Sequence, residues 1–556
     1  MNISTHLGII SPSVNGTPFK SDLQENKNDI APRDTGSKVV LSSQQFQSLV
    51  QEPNVYSEPK RITRLAFSNP VEVSNSTKQF AQSSLNTHLG VSLSGGALRL
   101  SELVDSGKNS YEQDIRQYSN YESYQGRRDS REAINIEDFK DLKYNKDESL
   151  TLKLKTKDGD TINFTLQGYT GSGETPDKEG AIFKGVKVSF EFEGKLSQQE
   201  KDQLNTFTQN IDQMVKQLSS SKDFDFNQLD LTSLTSFSDI DIAFKPSGSA
   251  KEITTELKLN YKDTETERSI DVDFLGHQSQ LAIDKTSLGA SASGQQQQKG
   301  LQQYLTILED SAREAHAQDS ASSLMKNVFK AGFKGLGLDE AESNKDNTNK
   351  NAIDASKLSL NGIENESIKD IHNKTLVPLP DFDFSFDSKV ENPNKENMPL
   401  EYQGFKVDLS MITQIKEDQN GQKTTAIQTQ KFELSGAYYS PLDGLDQPDF
   451  ENQNYQYTEL DRSSEKVTTI QTEHGQLLSA ITTESGESNS KTLEYQMGKL
   501  VDEDEDSSSF LEVTDFTELA KQESEQQSHA LLKTVMIDPF ETTQAANDTN
   551  TLSITD

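Results

Sequence analysis

"LTLKLKTKDGDTINFTLQGYTG", residues 150–171, decides the fold class. Leu150, Leu152 and Leu154 alternate with polar residues, Asp158-Gly159 intervenes, and Ile162, Phe164 and Leu166 resume the alternation. Side chains of a strand point to opposite faces in turn, so each half has one apolar and one polar face. Asp-Gly supplies the positive φ angles of a tight primed turn, and the pair reads as a β-hairpin. A third strand is expected at "FKGVKVSFEFEG", residues 183–194, with Val186, Val188, Phe190 and Phe192 on one side.

A half-apolar sheet must be covered, and the cover follows in sequence. "LSQQEKDQLNTFTQNIDQMVKQL", residues 196–218, opens with Ser197 and Glu200 in capping-box spacing. Leu204, Phe207, Ile211, Met214, Val215 and Leu218 then recur at helical spacing, an amphipathic stripe for the sheet. Further strands are expected at 252–263 and 267–276, carrying Ile253, Leu257 and Leu259, then Ile270, Val272 and Phe274. The run "GASASGQQQQKG", 289–300, reads as a low-complexity linker before a second helical stripe, Leu301, Tyr304, Leu305, Leu308 and Ala312. A short helix is expected through Leu98, Leu100, Leu103 and Val104.

In "SLMKNVFKAGFKGLGLDE", residues 323–340, Leu324, Met325, Val328, Phe329, Phe333 and Leu336 form a wide apolar arc. Lys326, Lys330 and Lys334 share the opposite flank. The plain reading is the last helix of a domain with its lysines near the negative end of the helix dipole; the functional reading makes these lysines a partner-docking seam. Beyond an Asn-rich stretch, "DFDFSFDSKV", 381–390, and "EYQGFKVDLSMI", 401–412, alternate again, and Asn420-Gly421 marks another tight hairpin. Tyr455, Tyr457, Val467, Ile470, Leu477, Ile481, Leu493 and Tyr495 carry the pattern to about 500.

The expected class is therefore α+β, antiparallel β-hairpins covered by amphipathic helices, plus a second, mainly antiparallel β domain. Residues 1–146, rich in Ser, Asn and Gln, are expected as a mostly disordered arm, 147–340 as the α+β domain and 341–377 as an Asn-rich linker. Residues 378–500 are the second β domain, and 501–556, opening on the acidic run Asp502 to Asp506, a largely disordered tail.

Composition narrows the chemistry. With 31 % hydrophobic residues and 89 acidic against 55 basic, the chain repels phosphate backbones, so nucleic acid is not an expected partner. Tyr118, Tyr121 and Tyr124 interleave with Arg127, Arg128 and Arg131, as in base-stacking segments, but Asp and Glu among them weaken that reading. Cysteine is absent, which removes disulfides, thiolate metal sites and a cysteine nucleophile. The seven histidines lack metal-ligand spacing, and "DGD" at 158–160 lacks the glycine and glutamate of a calcium loop. "GYTGSG", 168–173, leads into a strand without a following Gly-Lys-Ser/Thr, so it is not a phosphate loop. No cofactor, metal or catalytic residue is expected. The start, "MNISTHLGIISPSVNG", lacks the basic and apolar regions of a secretory leader and no run is long enough to span a membrane, so the expectation is cytoplasmic residence or export by a leaderless route.

The words "LTLKLKTKDGDTINF", "VSFEFEGKLSQQEKDQL" and "SDIDIAF" between about 149 and 276 resemble a group of uncharacterised bacterial proteins with the same order of hairpin, strand and acidic helix. The resemblance carries no activity, partner or site residue. The functional expectation is a non-enzymatic bacterial interaction protein, exported or surface-associated if it leaves the cell, that presents sheet faces or edges to a protein partner. The alternatives are a β-rich polysaccharide hydrolase using paired carboxylates and a substrate or accessory of a flagellar-type export system.

Overall fold

The computed structural model describes residues 61–85, 91–121, 140–174, 180–220, 225–246, 256–336, 366–390, 392–394, 401–418, 422–522 and 525–540. Residues 1–60, most of the expected linker, Asn420-Gly421 and the last sixteen residues lie outside them. The unit from Arg61 onward is built on one sheet of 15 strands in the order β1-β2-β5-β4-β3-β6-β7-β8-β9-β10-β11-β12-β13-β14-β15. Every pairing is antiparallel.

The opening hairpin is β3 (Lys140–Thr156) and β4 (Thr161–Glu174), with Leu150 opposite Leu166 and Leu154 opposite Ile162. The third expected strand, β5 (Gly180–Glu193), pairs with β4, and β6 (Phe237–Lys245) pairs with the other side of β3. The helix between them, α3 (Gln198–Ser220), buries the expected stripe and starts on the expected capping box, in which Glu200 accepts from the Ser197 amide (2.6 Å) and Ser197 Oγ from the Glu200 amide (3.3 Å).

The N-terminal region departs from expectation. Arg61–Phe67 forms β1 and Ser110–Tyr121 forms β2, paired to each other and, through β2, to β5. Between them lie Asn75–Leu85 (α1) and Leu98–Asp105 (α2), the latter the short helix expected there; they put Phe80, Leu85, Leu100 and Leu103 into the same core. Polar composition hid a few well-placed apolar positions, enough for elements that only cap an existing core.

The two β-rich segments expected as separate domains are neighbours in one sheet. After β7 (Leu257–Asp263) and β8 (Glu267–Phe274), β9 (His277–Asp284) pairs directly with β10 (Asp381–Val390), Phe384 standing opposite Leu281. Over this joint lies the lysine-bearing helix α5 (Asp319–Phe333). Phe329 meets Phe382 and Phe384 edge-on, with ring centroids 5.3 and 5.1 Å apart, geometry that adds to plain burial. Gly332 lets the helix approach β9, because a Cβ there would lie 2.2 Å from Leu281 Cδ2. The preceding helix α4 (Gly294–Glu314) contributes Tyr304, edge-on to Phe382 at 5.0 Å. Its N-terminus falls inside the expected linker, where Ser293 and Gln296 close a capping box. A further helix, α6 (Glu366–Thr375), occupies the end of the expected Asn-rich linker.

Long strands complete the sheet: β11 (Gln403–Glu417), β12 (Lys423–Ser440), β13 (Tyr455–Glu473), β14 (Gln476–Gln496) and β15 (Lys499–Asp515). The acidic run lies in β15, where it pairs with β14, rather than in a tail. Last come α7 (Thr517–Ala520) and α8 (Glu525–Val535). The segment after α8 is held by polar side chains that rise from the covered face. Gln430, fully buried, donates from Nε2 to the Val535 carbonyl (2.7 Å) and accepts from the Ile537 amide (3.1 Å) and the Tyr304 hydroxyl (2.9 Å). Lys466 donates to the Met536 carbonyl (2.7 Å) and Arg462 to that of Pro539 (2.9 Å).

Replacing Gln430 by Met keeps the volume and strands these buried groups, at a cost of about 2 kcal/mol. Urea unfolding is expected to show that loss, together with earlier cleavage after residue 530 in limited proteolysis; unchanged stability would mean the segment is not anchored there.

Candidate functional site

The helices lie on one face of the sheet, where inward apolar residues of β1 to β14 join a single core, to which β15 adds no buried residue. Among the described residues no helix packs on the other face. Its register can be read straight across: Glu191, Asn163, Lys153, Asp241, Asn260, Asp271, Gln280, Ser385, Asp408, Glu433, Ser463, Glu487 and Ser509 are successive cross-strand partners from β5 to β15. From β5 to β14 each comes from the polar half of an alternation that turns its neighbours toward the core, whereas β15 has no buried residue. The result is a continuous polar surface, which antiparallel sheets tolerate because water serves one side.

This face has three distinct regions over β11–β15. Toward the loops after β10 and β12 it carries aromatic rings. Tyr439, Tyr455 and Tyr457 cluster with Phe450 and Tyr495. Tyr439 donates to Glu401 (2.9 Å), as does Tyr455 (3.2 Å), whose hydroxyl also accepts from Asn394 (3.0 Å). Burial raises Glu401 above its usual carboxylate range. In the middle is a shallow trough of about 350 Å³ bordered by Lys406, Asp408, Glu433, Asp461 and Glu487. Asp408 and Glu433 are direct cross-strand partners, which sets their Cβ atoms roughly 5 Å apart.

Toward the β13–β14 turn the charges give way to β-branched residues. One row runs Ile412, Thr429, Val467, Thr483, Val513 and the next Ile427, Thr469, Ile481. Leu511, opposite Ser485, flanks the first row. Ile412 is 55 % exposed, Val513 65 % and Leu511 72 %, values unusual for apolar side chains grouped on a regular sheet. At the other end of β15, next to the aromatic region, the free edge presents Asp502 to Asp506, with Lys491 of β14 bridging Glu503 and Glu505. Carboxylates on both faces of an edge strand oppose pairing with another copy of itself.

The lysine seam lies on the covered side of the molecule, away from this face. Lys326 pairs with Glu309 (3.4 Å) and Lys334 with Asp230 (2.8 Å), while Lys330 is exposed. The end of α5 is held by Arg268, which donates to the carbonyls of Gly332 (2.9 Å) and Lys334 (2.6 Å) and to Asp263 (3.1 Å). Two of the three lysines thus face carboxylates of their own chain. Of the histidines, His277 bonds to Ser388 (3.0 Å) and His316 stacks on Tyr438 at 4.0 Å. Among the described residues no group of three or more His, Asp or Glu is arranged to hold a metal, and no helix is long and apolar enough to cross a membrane.

Sequence reasoning identified the alternating residues, including Val467, Ile481 and the DFDF of 381–384, with Phe382 and Phe384 inward and Asp383 exposed. It did not find Glu401 or the β-branched band, whose members come from separate strands and meet only through register. Compared with protein families, curated proteins and solved structures, the chain matches none.

Asp381 stands at the head of the β-branched row and links pH to stability. Burial pushes it up to about 6, although the Thr413 amide donates to it (2.8 Å), and the neighbouring Asp284 carboxylate adds to the rise. Its Oδ1 has no hydrogen-bond partner among the described residues. A folded-state value above the ordinary 3.8 means the contribution of Asp381 to stability is fully present below about pH 4 and is lost as pH rises through about 6. Asp381→Asn is therefore expected to raise the unfolding midpoint at pH 7.5, with the gain fading by pH 4. A gain independent of pH would contradict this assignment.

Proposed function

We propose that the protein is a binding protein without chemistry of its own, which presents the helix-free face of its sheet to a protein partner. The observation that carries the reading is the band of exposed Ile412, Ile481, Leu511 and Val513, with half-buried Ile427 and Val467 between them, on an otherwise polar face. Covering side chains of this size contributes on the order of 1 kcal/mol each when they start half-exposed. The total falls in the lower range of the cost of association, roughly 4 to 15 kcal/mol. A partner must therefore engage the neighbouring polar rows as well, and those rows supply regularly spaced donors and acceptors for doing so.

A second reading has one specific support. Asp408 and Glu433 are adjacent carboxylates in a trough, the kind of pair that retaining glycosidases use at about 5 Å. Against it, the trough is open and shallow, and among the described residues no enclosing wall surrounds the pair.

Changing Ile412, Ile481 and Val513 together to Lys touches only exposed positions and is expected to leave the circular dichroism and unfolding midpoint close to those of the parent. The same variant is expected to lose the partner recovered by cross-linking the parent protein in its native cells. Retention of that partner would contradict the reading. So would turnover of a polysaccharide panel by the purified parent that Asp408→Asn abolishes.

A further inference from the structure

On the covered side the packing is not complete. Between the N-terminal turn of α4, α6, the β13–β14 turn and the two C-terminal helices there is a cavity of about 780 Å³. Packing defects in a core are of the size of a few methyl groups, whereas this volume falls in the range that holds small-molecule ligands. Its walls come from four parts of the chain that are distant in sequence.

The chemistry of the walls divides in two. Ile371, Leu376, Leu477, Leu531 and Leu532 supply an aliphatic floor, and none of the described lining residues is aromatic. Lys299, Lys374 and Lys521 lie at its border, with Asp370 as the lone carboxylate among the lining residues. Lys374 pairs with Asp370 (2.6 Å) and Lys521 with Glu518 (2.8 Å). Lys299 is exposed and has no ion pair among the described residues. With Lys374 and Lys521 each beside a carboxylate, the net excess at the border is one positive charge, carried by Lys299, in a chain of formal charge −34. The remaining polar lining, the hydroxyls of Ser293 and Thr375 and the amides of Asn373 and four glutamines, adds no charge.

We propose that this cavity binds a single-chain amphiphile with an anionic headgroup, its alkyl chain on the leucine floor and its carboxylate or phosphate among Lys299, Lys374 and Lys521. An aliphatic wall without rings suits a flexible chain better than a flat heterocycle, which gains most from stacking. Lysines at a half-exposed mouth suit a headgroup that keeps part of its hydration. This site is separate from the open sheet face, and its test does not depend on that reading.

The full chain, stripped of bound lipid, is titrated by calorimetry with palmitate, with lysophosphatidylglycerol and with uncharged hexadecanol as three arms. The expected result is one saturable site per chain for at least one anionic ligand, with the palmitate and lysophospholipid arms telling which headgroup is preferred, and clearly weaker binding of hexadecanol. Lys299→Gln with Lys521→Gln is expected to weaken the anionic ligand about tenfold and leave hexadecanol unchanged. Leu532→Trp, which fills the cavity from a half-buried position, is expected to abolish both, with its unfolding transition confirming that it folds. Ile412→Lys, on the open face, is expected to change neither. Absence of saturable binding in every arm, or equal binding to a folded Leu532→Trp variant, would overturn the site. Equal affinity for palmitate and hexadecanol would overturn the role of the lysines.

Discussion

The hydrogen-bonded joint between β9 and β10, roofed by α5, is the constraint on which the rest depends. His277–Asp284 and Asp381–Val390 lie almost a hundred residues apart in sequence, yet they pair along nearly their whole length. Phe329 on Phe382 and Phe384, Tyr304 on Phe382, and Gly332 against Leu281 lock one helix pair over that seam. Closing so long a loop costs little more than closing a short one, because loop entropy grows only with the logarithm of length. Apolar burial on both sides of the joint outweighs it. Without this pairing there would be two smaller sheets, each with two raw edges.

One continuous sheet with helices on a single side has consequences for the other side. The alternation that sends Leu and Phe to the core sends Asp, Lys, Gln and Ser outward in register, so the open face is regular as well as polar. Fifteen strands at about 4.8 Å spacing make this face roughly 65 Å across, long enough to meet an extended partner. Regularity also exposes backbone edges. At β15 the risk is met by a run of carboxylates that point to both faces in turn. The same run, read as composition alone, resembles a tail that repels itself. Paired to β14 on one side, it has its repulsion relieved in part by Lys491.

Much of the fold was legible because period-2 alternation is a local signal. Leu150 to Leu166, Val186 to Phe192 and Phe382 to Phe386 are strands in the expected phase, and Ser197 with Glu200 caps the expected helix. What could not be read was which strand lies beside which, since register between distant segments leaves no trace in either one. The linker reading of 289–300 failed for a different reason. Repeated Gln and Ser suggested low complexity, whereas Ser293 and Gln296 stand at capping-box spacing and begin a helix that Leu301 and Tyr304 fasten to the core. The β-branched band and the tyrosines around Glu401 are register effects too. Their members come from separate strands and loops, and carboxylates are too common in this chain for Glu401 to stand out.

The most direct measurement of the shared sheet is made by cutting the chain between its halves. A protease site placed between residues 341 and 365 and cleaved in the folded protein leaves two fragments, one ending in α5 and the other beginning with α6. A single sheet predicts that they elute together on size exclusion and melt in one cooperative transition. Fragments that separate without denaturant, each with its own transition, would contradict it.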